Sequence, residues 1–205
     1  MFFMGALYLQ NVLGYDALQT GLAFLPATVI MGTLSLGYSH KLVMRFGAKA
    51  TLVPALGLIG ASLLAFTLAP VDGQYMTHVL PVMVLLGVGA GLAFPALMTL
   101  AMSGATPSDA GLASGLVNTT AQVGGALGLA VLATLASTRT GDLQAAGDPL
   151  HVALNGGYHL AFAIGAVLIA VAIVVGIVVL ESEPKAAKDA APELARPQAA
   201  CPEAT

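Results

Sequence analysis

The sequence predicts an all-α membrane protein, and three observations carry that prediction. Only 8% of its 205 residues are charged, where a soluble domain has about 25%. Apolar residues reach 58% before any of the 24 glycines is counted. The few charges fall in clusters, at Asp16, Lys41 to Lys49, Asp72, Asp109, Arg139 to Asp148 and after Leu180, with long charge-free intervals between them. Each interval can supply the ~20 apolar residues that cross ~30 Å of hydrocarbon. A backbone in lipid must satisfy its own hydrogen bonds, so intervals of this length form helices. Barrel strands would be about half as long and would alternate in polarity.

The same numbers exclude other classes. So few charges cannot cover the surface of a soluble enzyme, and a net charge of −3 leaves no footprint for nucleic acid. A single cysteine, Cys201, rules out an internal disulfide framework and a cysteine-cluster metal site. The four histidines, His40, His78, His151 and His159, show no ligand spacing and read as loop or interfacial residues. No Ser/His/Asp or Cys/His set falls inside a span, so the sequence points to no enzyme, no cofactor and no metal. Gly87-x-Gly89-x-Gly91 is no dinucleotide fingerprint, because residue 92 is Leu and no strand precedes it.

Taken in order, Met1 to Leu13 is apolar but too short for a full span, and it lacks the basic n-region of a signal peptide. It reads either as an amphipathic or re-entrant start or, preferably, as the outer part of a helix that begins upstream. Five complete spans follow, at about 18–38, 50–70, 79–102, 112–136 and 159–180. Asp16 and Gln19 have capping-box spacing before the first of these. Thr106-Pro107-Ser108-Asp109 predicts an N-cap at Thr106 with Pro107 in the first helical position. Pro26 and Pro95 each remove a backbone donor inside a span and should bend it. The Ala/Pro/charged segment 181–205 reads as a disordered tail.

Orientation follows from basic residues. Strict alternation places the loop with Lys41, Arg45, Gly47 and Lys49 on the same side as the tail with Lys185, Lys188 and Arg196. That side holds six basic residues against Arg139 alone on the other, so the C-terminus is expected to be cytoplasmic.

Polar and small residues single out particular faces. Gly111, Gly115, Asn118, Gln122 and Gly125 recur on one stripe of the 112–136 span. Small residues admit another backbone, and amides in lipid want partners or water. A second stripe runs Gly87, Gly91, Phe94, Met98 and Met102, and the first segment carries Tyr8, Gln10 and Asn11. The glycines read as helix-packing positions. Tyr8, Gln10, Asn11, Phe94, Met98, Asn118 and Gln122 are the candidates for the wall of a substrate cavity, since flexible Met and aromatic rings suit a loosely held apolar compound.

Three stretches resemble the major facilitator superfamily, specifically the C-terminal half of a 14-span drug/proton antiporter. They are Tyr8-Leu9-Gln10 through Gly14-Tyr15-Asp16-Ala17-Leu18-Gln19-Thr20-Gly21 to Pro26, the basic segment Leu42 to Lys49, and Ala110-Gly111-Leu112-Ala113-Ser114-Gly115 through Gly128. The basic segment departs from the family's loop pattern at His40, which replaces a Gly, and at Met44, which replaces an Asp. The resemblance covers residues 1–180 and implies the C-terminal six-helix bundle of that fold, here with its first helix truncated. In such a bundle the first and fourth helices line the cavity and the third and sixth face lipid. It further implies proton-coupled efflux of a small lipophilic substrate by alternating access, in a plasma-membrane protein surrounded by membrane lipids. The implied partner is an N-terminal portion of six to eight helices. No Asp, Glu, Lys or Arg lies within the expected spans, so the coupling carboxylates would belong to that portion and this chain alone would be inactive. Two alternatives remain at this stage: a half-size protein working as a homodimer, and a membrane scaffold that transports nothing.

Overall fold

The computed structural model describes residues 2–71, 73–106 and 108–179. These form six helices: α1 (Phe2–Asn11), α2 (Ala17–Phe46), α3 (Ala48–Thr67), α4 (Tyr75–Met102), α5 (Ala110–Ala145) and α6 (Leu150–Val179). All but α1 are long and apolar enough to cross a membrane. The 10 residues of α1 span only about 15 Å at 1.5 Å per residue.

Helix ends follow local chemistry. Asp16 closes the start of α2 with a capping box: its carboxylate accepts from the Gln19 amide at 2.7 Å, and the Gln19 side chain accepts from the Asp16 amide at 3.2 Å. Gly47 is the one residue between α2 and α3, at φ 91°, in the left-handed region that side chains with a Cβ avoid. Gly147, at φ 99°, serves the turn between α5 and α6. Wide i→i+5 turns interrupt α2 at Leu34–Tyr38 and open α4 at Tyr75–Val79.

Several expectations are corrected here. The basic loop is not a loop: Lys41 and Arg45 lie inside α2, Lys49 lies in the first turn of α3, and only Gly47 breaks the helix. Lys, Arg and Asp do not oppose helical backbone, so a charge cluster marks a membrane boundary without ending a helix. For the same reason α5 runs through Arg139 and Asp142 to Ala145. All four histidines are in helices, His40 in α2, His78 in α4, His151 and His159 in α6. Thr106 is not the N-cap of α5. Its hydroxyl donates to the Asp109 carboxylate at 2.6 Å, the turn closes through the Asp109 amide, and the helix begins at Ala110. Pro107 and the whole segment from Leu180 to Thr205, with Lys185, Lys188, Arg196 and Cys201, lie outside the described residues.

In lipid there is little hydrophobic force between helices, so the bundle depends on close van der Waals fit. The fit centres on α1 and α4. Met4, Tyr8 and Leu9 of α1 are buried, and the core around them takes in Leu63 and Phe66 of α3, Met83 of α4 and Phe162 of α6. Half of the most apolar window of α4 is buried, against 6% for α5. Gly87 and Gly91 let α4 lie directly on α2, since a Cβ on Gly87 would stand 2.7 Å from the Ala27 carbonyl and one on Gly91 2.9 Å from that of Met31. Gly89 does the same towards α3, 2.9 Å from the Ala55 carbonyl. Phe66 of α3 stacks on Phe162 of α6, with centroids 4.8 Å apart, and Tyr8 meets Phe66 edge-on at 6.0 Å.

Candidate functional site

Successive helices alternate between two ends of the bundle. At the basic end Lys49 donates to the Ile177 carbonyl at 2.9 Å, placing a cation where the carbonyls of α6 leave negative potential. The turn Thr106–Asp109 lies at that end. At the opposite end a polar layer ties three segments together. The Tyr8 hydroxyl donates to the Pro70 carbonyl at 3.0 Å, Asn11 Nδ2 donates to the Tyr158 hydroxyl at 3.0 Å, and His159 Nε2 pairs with the Ala69 carbonyl at 2.9 Å. A carbonyl only accepts, so His159 carries its proton on Nε2.

The candidate cavity residues divide between the two ends. Counting 1.5 Å per residue, Met98 and Phe94 lie ~6 and ~12 Å from the Met102 end of α4, and Asn118 and Gln122 lie ~12 and ~18 Å from the Ala110 end of α5. Phe94 and Asn118 thus share a depth, with Met98 nearer the basic end and Gln122 further from it. Phe94 is 61% exposed, Met98 is half-buried, and Asn118 and Gln122 are exposed. Tyr8, Gln10 and Asn11 are at the other end and do not join them. Tyr8 is a core residue with no exposed surface rather than a cavity wall, its ring enclosed by the aromatic cluster. Asn11 is engaged with Tyr158, and Gln10 is exposed.

Gly111, Gly115 and Gly125 of α5 do not pack against the described residues. A Cβ at Gly111, Gly115 or Gly125 would meet nothing within 4 Å. The first half of α5 is instead bare on two sides: Leu112, Leu116, Val123 and Leu127 are exposed on one, and Asn118 and Gln122 are exposed with the glycine stripe on another. Only the second half packs, where Gly157 of α6 meets the backbone of Ala136 and the side chain of Thr140.

Sequence reasoning missed Asn155 and Tyr158, because it began the last span at 159. Both are buried, and among the described residues the Asn155 Oδ1 atom has no hydrogen-bond partner. Their signal was present: Asn155, Tyr158 and His159 stand three and four residues apart, the spacing of one helix face. Pro54, inside α3, was also passed over beside Pro26 and Pro95. Among the described residues no group of three His, Cys, Asp or Glu side chains could hold a metal. The charged side chains of the helices, Lys41, Arg45, Lys49, Arg139 and Asp142, sit towards helix ends.

Comparison with known proteins agrees with this uncharged helical face. The family description that matches residues 1–129 is the Major Facilitator Superfamily. The cephamycin export protein CmcT of Amycolatopsis lactamdurans is 39% identical over 160 residues, covering 77% of this chain and 31% of that protein. The puromycin resistance protein pur8 of Streptomyces alboniger is 34% identical over 190 residues, 89% of this chain and 37% of its own length. The lincomycin resistance protein of Streptomyces lincolnensis is 33% identical over 135 residues, 65% of this chain and 27% of its own. The chain thus spans about a third of the length of the curated relatives it matches. With its apolar helices, close glycine contacts and these relatives together, this multi-pass membrane chain belongs to the Major Facilitator Superfamily.

Proposed function

We propose that this chain forms one wall of an exporter for lipophilic, drug-like compounds, working by alternating access and proton exchange with a second helical bundle that carries the proton-handling groups. The observation that carries the reading is the bare first half of α5, on which Asn118 and Gln122 stand exposed on the same stripe as Gly111, Gly115 and Gly125. Amides are costly to leave in lipid, so such a face belongs against water, substrate or another protein surface. The functions for which the relatives are named, export of cephamycin and resistance to puromycin and lincomycin, fit a neutral, adaptable wall. Proton coupling needs a titratable group at membrane depth, and the charged side chains of the described helices lie towards their ends. The chain by itself should therefore not transport. The excess of basic residues at Lys41 to Lys49 supports a cytoplasmic basic end in the plasma membrane.

Reconstitution of the chain alone in vesicles tests the division of labour, because proton-driven efflux of a lipophilic cation from them would refute it. Thiol labelling at Asn118→Cys and Gln122→Cys in native membranes tests the wall. Water-soluble reagents should modify both when the exporter is assembled, whereas a scaffold that uses the amides only as glue would protect them. The same bare face would suit a second copy of this chain, and cross-linking through Leu116→Cys would reveal that homodimer directly.

A further inference from the structure

A cavity of about 220 Å³ lies between α1, α5 and α6, some ~17 Å further along α5 than Gln122. Met4, Leu7 and Leu154 form its apolar wall, and Ser137, Thr140 and Tyr158 place hydroxyl-bearing side chains along it. No charged residue lines it. The hydroxyls are not equivalent. That of Thr140 donates to the Ala136 carbonyl at 2.9 Å. That of Tyr158 accepts from Asn11 Nδ2 at 3.0 Å, and its own proton meets no acceptor among the described residues. The Tyr158 residue is 6% exposed while Ser137 and Asn11 beside it are open to the surface, so a ligand entering the crevice displaces water from that proton, and an O–H group that already accepts a hydrogen bond is polarised towards donating one.

From this arrangement we propose that the crevice binds a small, neutral, mostly apolar ligand through a carbonyl oxygen, with Tyr158 as the donor and Asn11 as the residue that positions it. A charged ligand would have no counter-charge here, and a pure hydrocarbon would displace water and leave the Tyr158 proton unpaired. The inference is separate from the transport reading, because it concerns another depth of the bundle and is measured as binding.

Benzophenone, apolar but for one ketone, is the probe. The full chain in detergent is irradiated with it and the adducts are mapped by mass spectrometry. Adducts should concentrate on Met4, Leu7 and Leu154. Fluorenone should compete at a concentration roughly three- to tenfold lower than fluorene, which has the same shape without the acceptor, as one net hydrogen bond implies. Because that comparison uses the unaltered protein, it does not depend on any variant folding. Tyr158→Phe should lower labelling by a similar factor and abolish the difference between the competitors, and Asn11→Ala should weaken it less. Equal competition by fluorenone and fluorene, or adducts spread evenly over the lipid-exposed Val171 and Val178, would overturn the proposal.

Discussion

Phe66 and Phe162 stack with ring centroids 4.8 Å apart and planes 18° from parallel, and this pair joins α3 to α6 beneath the buried ring of Tyr8. Both rings are almost wholly buried. Phe66→Ala should therefore destabilise the bundle by about 3 kcal/mol, near the low end of the usual range for such truncations, because lipid lessens the transfer part of the loss. Unfolding in mixed detergent micelles measures this, and Phe66→Leu should cost distinctly less.

The glycines of α4 and α5 make opposite predictions from the same chemistry. Gly87→Ala drives a methyl against the Ala27 carbonyl and should cost about 1–3 kcal/mol as α2 and α4 separate. Gly115→Ala meets open space and should leave the isolated chain unchanged or slightly more stable, since Ala favours helix over Gly. Melting of the two variants side by side decides the matter.

Loss of the α2 capping box should be local. Asp16→Ala removes the acceptor of the Gln19 amide and should cost about 1 kcal/mol. Amide hydrogen exchange should quicken in the first turn of α2 and remain unaltered in α6.

Asn155 offers a stabilising substitution. Its buried Oδ1 has no partner, a situation that costs about 1–3 kcal/mol. Asn155→Leu keeps the branched shape with some added bulk and removes the orphaned acceptor, so the thermal midpoint should rise. A fall would mean that an ordered water or ligand satisfies Asn155 in the membrane.

The helical class and the Asp16 cap were legible in the sequence because each rests on local pattern, charge-free length in one case and a three-residue spacing in the other. The one-residue break at Gly47 was not legible, because Lys41, Arg45 and Lys49 around it read as a loop. Arg139 and Asp142 looked like a loop because charge reports where lipid stops, while α5 continues past them with its second half packed on α6 at Gly156 and Gly157. Tyr8 looked like a cavity residue because its hydroxyl stood beside Gln10 and Asn11 in the sequence. Its burial depends on Pro70 and Phe66, some sixty residues away, and no local pattern reveals them. The glycines of α4 and α5 carry the same signature, yet one set touches a neighbour and the other does not. What lies opposite a face is a tertiary fact.

With one residue joining α2 to α3, and that residue held at a φ of 91°, the hairpin has no slack. Lys49, two positions on, is fastened to the far end of α6 at Ile177. The basic ends of α2, α3 and α6 are thus held side by side, and a longer linker at Gly47 should loosen that end of the bundle first.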